Sequence, residues 1–298
     1  MGLLSLINVI NVANASSSCL AHVQEKAQAL LKQPYQAIPD MGEEVRNLSY
    51  HDYQNIRFIA GKTLWRKEQL PFQMEFMHPG MQFNQAIKLH VWENKQSTPI
   101  PFSRKYFHYA GLDRYFDKSP LDYTGFRLLY PIDADKVHQE FLVFQGASYF
   151  RSRGRDETYG LSARAIALNT HSKTPEEFPT YTQFWIEKPQ KGSKRLRICG
   201  LLDSPSLTGA TEFIIEPNDT TTMLVETVIY PRKPLQEVGI APLTSMFFHG
   251  ENALSTYGDY RPEVHDSDGL LIKQDKQKWH WHPLREAEWV EVKVFDEG

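Results

Sequence analysis

Residues 195–230 read RLRICGLLDSPSLTGATEFIIEPNDTTTMLVETVIY, and this stretch decides the fold class. It contains three runs rich in β-branched and aromatic residues, at 195–202, 212–216 and 223–230, which turn-forming Ser, Pro and Asn residues separate. Runs of this kind predict strands joined by turns. No helix of useful length intervenes between them, so a parallel sheet built from β-α-β units is not expected.

The same pattern extends over much of the chain. Further strands are predicted at residues 72–76, 87–92, 126–130, 141–144 and 184–187. Many short strands at this spacing predict an all-β fold, a large antiparallel β-sandwich. With 298 residues, of which 41% are hydrophobic, the chain can form one large β-domain or two smaller ones.

The N-terminus predicts an exported protein. An apolar run at residues 3–12 is followed by Ala13-Asn14-Ala15, which is similar to the cleavage site of a secretory signal. Residues 1–15 are therefore interpreted as a signal-peptide-like leader, although the usual positively charged residues before the apolar run are missing. Apolar residues at helical spacing predict one short helix at residues 20–31, and Pro34 ends it.

Export would place the two cysteines, Cys19 and Cys199, in an oxidising compartment. A disulfide between them is one alternative, but no spacing rule supports the pairing. We therefore expect two unpaired cysteines.

Composition limits the classes of partner. The net charge is −3 with both signs interspersed, so there is no basic surface for nucleic acid or for an anionic membrane. The 17 Phe, 14 Tyr and 6 Trp suit a strand-rich core and also suit clefts in which aromatic rings stack on sugars.

The segment RPEVHDSDG at residues 261–269 is dense in titratable groups. If it is a strand, Glu263, His265 and Ser267 point to one face, and Asp266 and Asp268 point to the other. Two carboxylates on one face are typical of a site with shifted pKa values or with a cationic or sugar partner. The alternative is a solvated acidic turn.

Other chemistry has weaker support in the sequence. Trp279-His280-Trp281-His282 places two histidines on one strand face, which could chelate zinc, but a third ligand with convincing spacing is missing. The alternative is a half-exposed strand with aromatic residues on its other face. We predict neither a metal nor a cofactor.

A series of short motifs runs in order along the chain. The motifs with the most distinctive residues are Gly146-Ala147-Ser148-Tyr149-Phe150-Arg151, Tyr159-Gly160-Leu161-Ser162-Ala163-Arg164, Phe184-Trp185-Ile186-Glu187, Gly239-Ile240-Ala241-Pro242-Leu243-Thr244-Ser245-Met246-Phe247, residues 261–269 and Trp281-His282-Pro283-Leu284. This series resembles one known family, the periplasmic glucan biosynthesis proteins of the OpgG/OpgD (MdoG) family. The resemblance runs from about residue 20 to residue 284.

The resemblance implies a mutarotase-like β-sandwich, here at residues 16–284, followed in the family by an immunoglobulin-like domain. The tail at residues 285–298 diverges from the family motifs, so we expect a sandwich that is incomplete at its C-terminal end and lacks the second domain. The resemblance also implies a periplasmic protein that acts on the β-1,2-linked backbone of osmoregulated periplasmic glucans, with inverting endo-β-1,2-glucanase activity.

Residue roles follow from the same resemblance. Asp266 matches the general base, whereas the general acid of the family lies beyond the motif that ends at Leu284, so we expect impaired hydrolysis. Glu251, Glu263 and Asp268 could in principle replace that acid. Substrate-binding residues are predicted from motif membership and from the affinity of such side chains for sugars, with core packing as the alternative for each: Tyr159, Arg164, Trp185, Glu187, Tyr260 and Arg261.

A second function remains open at this stage. The chain could be a non-catalytic protein that binds glucan or assists a membrane-bound glucan synthase. The partner in either case is a β-glucan polysaccharide, and nucleic acid is not a predicted partner.

Overall fold

The computed structural model describes residues 18–112, 115–117, 119–146, 148–170, 172–253, 258–274 and 278–285. The chain forms two compact units. The large unit comprises Met1–Thr158 and Arg164–Pro242, and the small unit comprises Tyr159–Ala163 and Leu243–Gly298. The predicted leader at residues 1–15 and nearly all of the predicted divergent tail lie outside the described residues.

Helices are few in the described part of the chain. The α-helices are α1 (Cys19–Leu31), α2 (Glu43–Arg46) and α3 (Tyr50–Asn55), and two short 3-10 turns lie at Ala60–Lys62 and Arg104–Tyr106. The predicted helix at residues 20–31 is therefore confirmed as α1. No helix among these residues is long and apolar enough to cross a membrane.

Strands dominate the described residues, so the predicted all-β class is confirmed. The strands are β1 (Arg57–Phe58), β2 (Gln73–Met77), β3 (Lys88–Glu93), β4 (Gln96–Ile100), β5 (Phe107–His108), β6 (Gly125–Tyr130), β7 (Gln139–Gln145), β8 (Tyr149–Ser152), β9 (Ser162–Arg164), β10 (Ile166–Leu168), β11 (Thr180–Glu187), β12 (Leu196–Asp203), β13 (Leu207–Glu216), β14 (Thr222–Pro231), β15 (Val238–Ile240), β16 (Leu243–Thr244), β17 (Phe247–His249), β18 (Val264–His265), β19 (Gly269–Gln274) and β20 (Lys278–Pro283).

The first sheet of the large unit has six strands in the order β14-β13-β12-β11-β3-β4. Four of its five strand pairs are antiparallel, but β3 and β11 run parallel, which the sequence did not predict. A parallel neighbour requires a crossover connection, usually a helix. Here the connection from β3 to β11 instead contains strands of the second sheet, so no helical signal announces the parallel pair.

The second sheet contributes four strands to the large unit, in the order β8-β7-β6-β2. Its inward side chains meet those of the first sheet in an aromatic core. Phe144 lies 5.2 Å from Phe184 and 5.1 Å from Phe213, measured between ring centroids, and Phe126 lies 5.1 Å from Phe184. Fully buried aromatic pairs at these distances provide a large part of the apolar burial that holds two sheets together.

Helix α1 covers the other face of the first sheet. Its apolar side buries Leu20, Val23 and Ala27 against Trp185 and Leu201, among other residues of the sheet. The first sheet is thus buried on both faces, which explains why β12 is a nearly continuous apolar run instead of an alternating one.

A disulfide joins α1 to this sheet, so the prediction of two unpaired cysteines is wrong. Cys19 begins α1 and Cys199 lies on β12, and both side chains are fully buried. Their Cα atoms are 5.9 Å apart, inside the range that a disulfide requires. Because 180 positions separate them in sequence, no local spacing could reveal the pair.

The small unit contains three short antiparallel ladders. Strand β16 pairs with the Ser162–Ala163 part of β9, β17 pairs with β18, and β19 pairs with β20. These ladders hold the segment at residues 261–269 and the Trp-His-Trp-His motif in place.

Candidate functional site

The segment at residues 261–269 is a bent loop around one imidazole, in which Val264–His265 forms the short strand β18 and Gly269 begins β19. His265 Nε2 lies 3.2 Å from Glu263 Oε2, so the predicted shared face of these two residues is observed. Asp268 does not lie on the opposite face with Asp266, because the chain bends at Asp266 and the alternation ends there. Its Oδ1 instead lies 3.8 Å from His265 Nδ1.

These groups line a cleft of about 260 Å³ within the small unit. Three of its lining side chains carry carboxyl groups, and the only histidine among them, His265, is largely buried, with 13% of its side chain exposed. The complete lining consists of Phe247, Glu251, Asn252, Glu263, His265, Asp268, Trp281 and Pro283. The three residues named as alternative acids, Glu251, Glu263 and Asp268, therefore meet at one cleft.

Close packing fixes the imidazole of His265. Its ring stacks on Phe247 at a centroid distance of 5.8 Å. The backbone of Gly250 is also near the ring, because a Cβ atom there would lie 3.0 Å from His265 Cδ2 and 3.4 Å from Phe247 Cε2. A larger residue at position 250 would therefore crowd the imidazole. Phe247 and Asn252 were not predicted as site residues, because neither carries a titratable signal in sequence.

Asp266 is tied by its backbone and its side chain to Met246, the residue before β17. Its amide donates to the carbonyl of Met246 at 2.8 Å, and its Oδ2 accepts from the amide of Met246 at 3.1 Å. The carboxylate is exposed and does not line the 260 Å³ cleft. This arrangement holds the carboxylate in one orientation at the surface, where its second oxygen can accept a proton from water.

Two other predicted residues flank the loop. Arg261 binds Asp259 through two parallel hydrogen bonds, Nε to Oδ1 at 3.0 Å and Nη2 to Oδ2 at 2.5 Å. These bonds hold the pKa of Asp259 below its usual range. Tyr260, between them in sequence, is 95% exposed and is available to a ligand.

Tyr159 belongs to the small unit and is half-buried. The adjacent Gly160 lies against the loop, because a Cβ atom there would come within 2.9 Å of the carbonyl oxygen of Asp266. Tyr159, Tyr260, Arg261 and Asp266 are therefore all in the small unit.

The other three predicted residues lie in the large unit. The guanidinium of Arg164 is held between two rings, 4.1 Å from the centroid of Tyr149 and 3.7 Å from that of Phe178. Burial lowers the pKa of Arg164. Glu187 Oε2 lies 3.3 Å from Nη1 of Arg197 in a half-exposed ion pair.

Trp185 lies in the core, which favours the core-packing alternative for this residue. Its ring is fully buried, stacks on His90 at 4.8 Å and donates through Nε1 to Ser97 Oγ at 2.9 Å. A fully buried indole offers no face to a sugar. Its satisfied N–H is typical of a structural tryptophan.

One group of potential metal ligands occurs in the part of the chain that the structure describes. It consists of Cys19, Cys199 and Glu212, all buried. The disulfide occupies both sulfur atoms, so this group cannot supply thiolates while the bond is intact.

The fold and the loop define a β-sandwich protein that carries a cleft lined by carboxyl groups, an imidazole and aromatic rings, a lining that suits a polar ligand such as a sugar. The chain belongs to the MdoG family of periplasmic glucan biosynthesis proteins, because the sequence model of that family matches residues 19–298. The resemblance found in the motifs is thus confirmed.

Sequence identity to individual proteins supports the family assignment. Glucans biosynthesis protein G of Ralstonia nicotianae is 40% identical over 295 residues, covering 97% of this chain and 58% of the relative. The protein of the same name from Vibrio cholerae is 39% identical over 291 residues, covering 97% and 53%. The one from Shewanella sp. (strain MR-4) is 40% identical over 279 residues, covering 93% and 51%. The chain therefore spans about half the length of the curated relatives that it matches.

Proposed function

We propose that this chain acts in the periplasm on the β-1,2-linked backbone of osmoregulated glucans, as part of an inverting endo-β-1,2-glucanase. In this proposal Asp266 is the general base. An inverting base removes a proton from the water that attacks the anomeric carbon from the face opposite the leaving group, while a separate general acid protonates the leaving glycosidic oxygen. Family membership supports the substrate class, and the held, exposed carboxylate of Asp266 is the observation that supports its role.

The side chains around Asp266 suit a polysaccharide. Tyr159, Tyr260 and Arg261 lie in the same unit and supply aromatic faces and charged donors, which are the groups that bind sugar rings and hydroxyls. Arg164 and Glu187 remain proposed glucan contacts of the large unit. The buried disulfide fits an oxidising compartment and hence supports the periplasmic location.

The test combines binding and turnover of linear β-1,2-glucan. We expect the wild-type chain to release reducing ends only slowly, and Asp266→Asn to lower that rate by about 10²-fold or more, the scale of general base catalysis. The glucan affinity should change by less than about 3-fold, since the amide keeps the shape of the carboxyl group. Asp135→Asn is the matched control, because it neutralises an exposed carboxylate of the large unit that is not part of the candidate site. Release by Asp266→Asn at the wild-type rate would refute the assignment of the base.

A second function is favoured by the hydrogen bond from the amide of Met246 to Asp266, which also suits a purely structural aspartate. In that case the chain binds glucan without cleaving it and assists a membrane-bound glucan synthase. It would then bind β-1,2-glucan with an affinity that survives Asp266→Asn, and release no reducing ends in either form. Absence of binding to β-1,2-glucan would contradict both functions.

A further inference from the structure

The Trp-His-Trp-His motif lies on β20, whose partner in the ladder is β19. In the register of this ladder Trp281 is opposite Leu271, and Trp279 is opposite Lys273. Directly opposed residues of an antiparallel pair share one face of the sheet. The two indoles therefore lie side by side on one face, together with Leu271 and Lys273, and the two histidines lie on the other.

This face is exposed. The structure describes five tryptophans, of which Trp65, Trp92 and Trp185 are buried, whereas Trp279 is 58% and Trp281 is 53% exposed. Leu271 is 54% exposed, so the apolar surface is continuous along the ladder. Contiguous exposed apolar surface of this kind usually marks a binding site.

Neighbouring groups fix the orientation of both indoles. The backbone of Gly269 lies under Trp281, because a Cβ atom on Gly269 would come within 2.8 Å of Trp281 Cζ2. The ammonium group of Lys273 lies 5.2 Å from the ring centroid of Trp279, in a cation–π contact. The last residue of the segment at residues 261–269 thus positions one of the two rings.

The face is continuous with the cleft that contains His265, since Trp281 lines that cleft and also belongs to the exposed face. An extended polymeric ligand that occupied the cleft would continue over the two indoles. Neutral apolar rings next to an ammonium donor suit a polymer of pyranose units, which presents C–H faces and hydroxyl groups in alternation.

We infer that Trp279 and Trp281 form a stacking platform for the glucose rings of a β-glucan polymer, and that the polymer runs from the platform into the cleft. The inference rests on the proposed function, because it takes β-glucan as the ligand. It assigns the platform to binding and gives it no part in the chemical step.

The test measures the dissociation constant of linear β-1,2-glucan by isothermal titration calorimetry, with the full chain. We expect Trp281→Ala and Trp279→Ala each to weaken binding by about 10-fold or more, the scale of uncovering one face of an indole. Trp281→Phe and Trp279→Phe should stay within about 3-fold of wild type, since phenylalanine also stacks. Tyr50→Ala is the control, because Tyr50 is an aromatic residue of α3 that is 69% exposed.

Circular dichroism would confirm that each variant is folded. If an alanine variant is not folded, the phenylalanine variant at the same position still reports the glucan affinity.

Different results would overturn different statements. If wild type binds glucan and both alanine variants bind equally well, the platform is wrong and the proposed function stands. If wild type binds no glucan, both are wrong. A concentration-dependent dimer that is lost in the alanine variants, with unchanged glucan affinity, would assign the face to a second copy of the chain and overturn the inference.

Discussion

The disulfide between Cys19 and Cys199 should contribute a large part of the stability of the large unit. It closes a loop of 180 residues, and the entropy of closing such a loop in the unfolded chain corresponds to about 5 kcal/mol at 25 °C. Measured values for disulfides are more often 2–4 kcal/mol, so we expect the double variant Cys19→Ser, Cys199→Ser to lose about 3–5 kcal/mol of unfolding free energy.

The helix itself should stay docked without the bond. Thr208 Oγ1 donates to the carbonyl of Ala27 at 2.8 Å, and Arg232 Nη1 donates to that of Leu30 at 3.0 Å. These contacts anchor the C-terminal half of α1. The first turn around Cys19 should therefore lose its protection from hydrogen exchange, while the last turns keep theirs.

Thermal unfolding with and without reductant measures the effect. A loss of this size lowers the melting temperature by roughly 10 °C in a unit of this length. The double variant is its own control, because reductant should leave its melting temperature unchanged. Two free thiols in the intact mass of the air-oxidised protein, or a melting temperature within about 2 °C after reduction, would refute the reasoning.

Three further perturbations test the large unit. Burial lowers the pKa of His78 to about 4, so the unfolded chain binds more protons at this residue between pH 6.5 and pH 4, and its contribution to the unfolding free energy should fall by about 3 kcal/mol over that interval. Urea titrations of wild type and His78→Gln at both pH values measure this, and the variant should lose less stability than wild type by about that amount. Arg127→Met should lower the unfolding free energy by about 3 kcal/mol in the same assay, because it leaves the carboxylate of Glu75, only 6% exposed, without its 2.6 Å partner. An unchanged urea midpoint would contradict the importance of this ion pair. Gly125→Ala would place Cβ 2.3 Å from a backbone oxygen of the adjacent strand, so it should lower the melting temperature by several degrees. Gly61→Ala is the control, because its Cβ meets nothing within 4 Å and the melting temperature should not change. Equal effects of the two variants would contradict the packing.

Most strands of the sandwich could be predicted because each is a local run of apolar residues, whereas the polar β4 and the short β8 were not predicted. β13 is the clearest partial failure, since it was predicted to start at residue 212 and starts at Leu207. The first half of β13 contains residues with small side chains, Gly209 and Ala210, and α1 packs on this region. Small residues give no strand signal, although the close approach of a helix favours them.

The features that sequence could not supply depend on contacts between distant residues. The disulfide and the parallel pairing of β3 with β11 each join segments that are far apart in the chain. The burial of Trp185 depends on α1, which begins more than a hundred positions earlier. In the loop, the strand ends at His265, so alternation placed Glu263 correctly and Asp268 incorrectly.

The candidate site was predictable only in part. Its titratable residues were visible because they lie within one short segment of sequence. The partners that orient them, Met246 for Asp266 and Phe247 for His265, come from β17 and the residue before it, and they carry no titratable group. Sequence could name the charged groups but not the backbone that holds them.

Hydrogen–deuterium exchange of the full chain, with and without linear β-1,2-glucan, tests the central claim most directly. The claim is that glucan binds the small unit around Asp266. We predict slower exchange on glucan addition at residues 258–274 and 278–285, and no change in the buried strands β12 and β13. Protection confined to the large unit, or no protection at saturating glucan, would contradict the account.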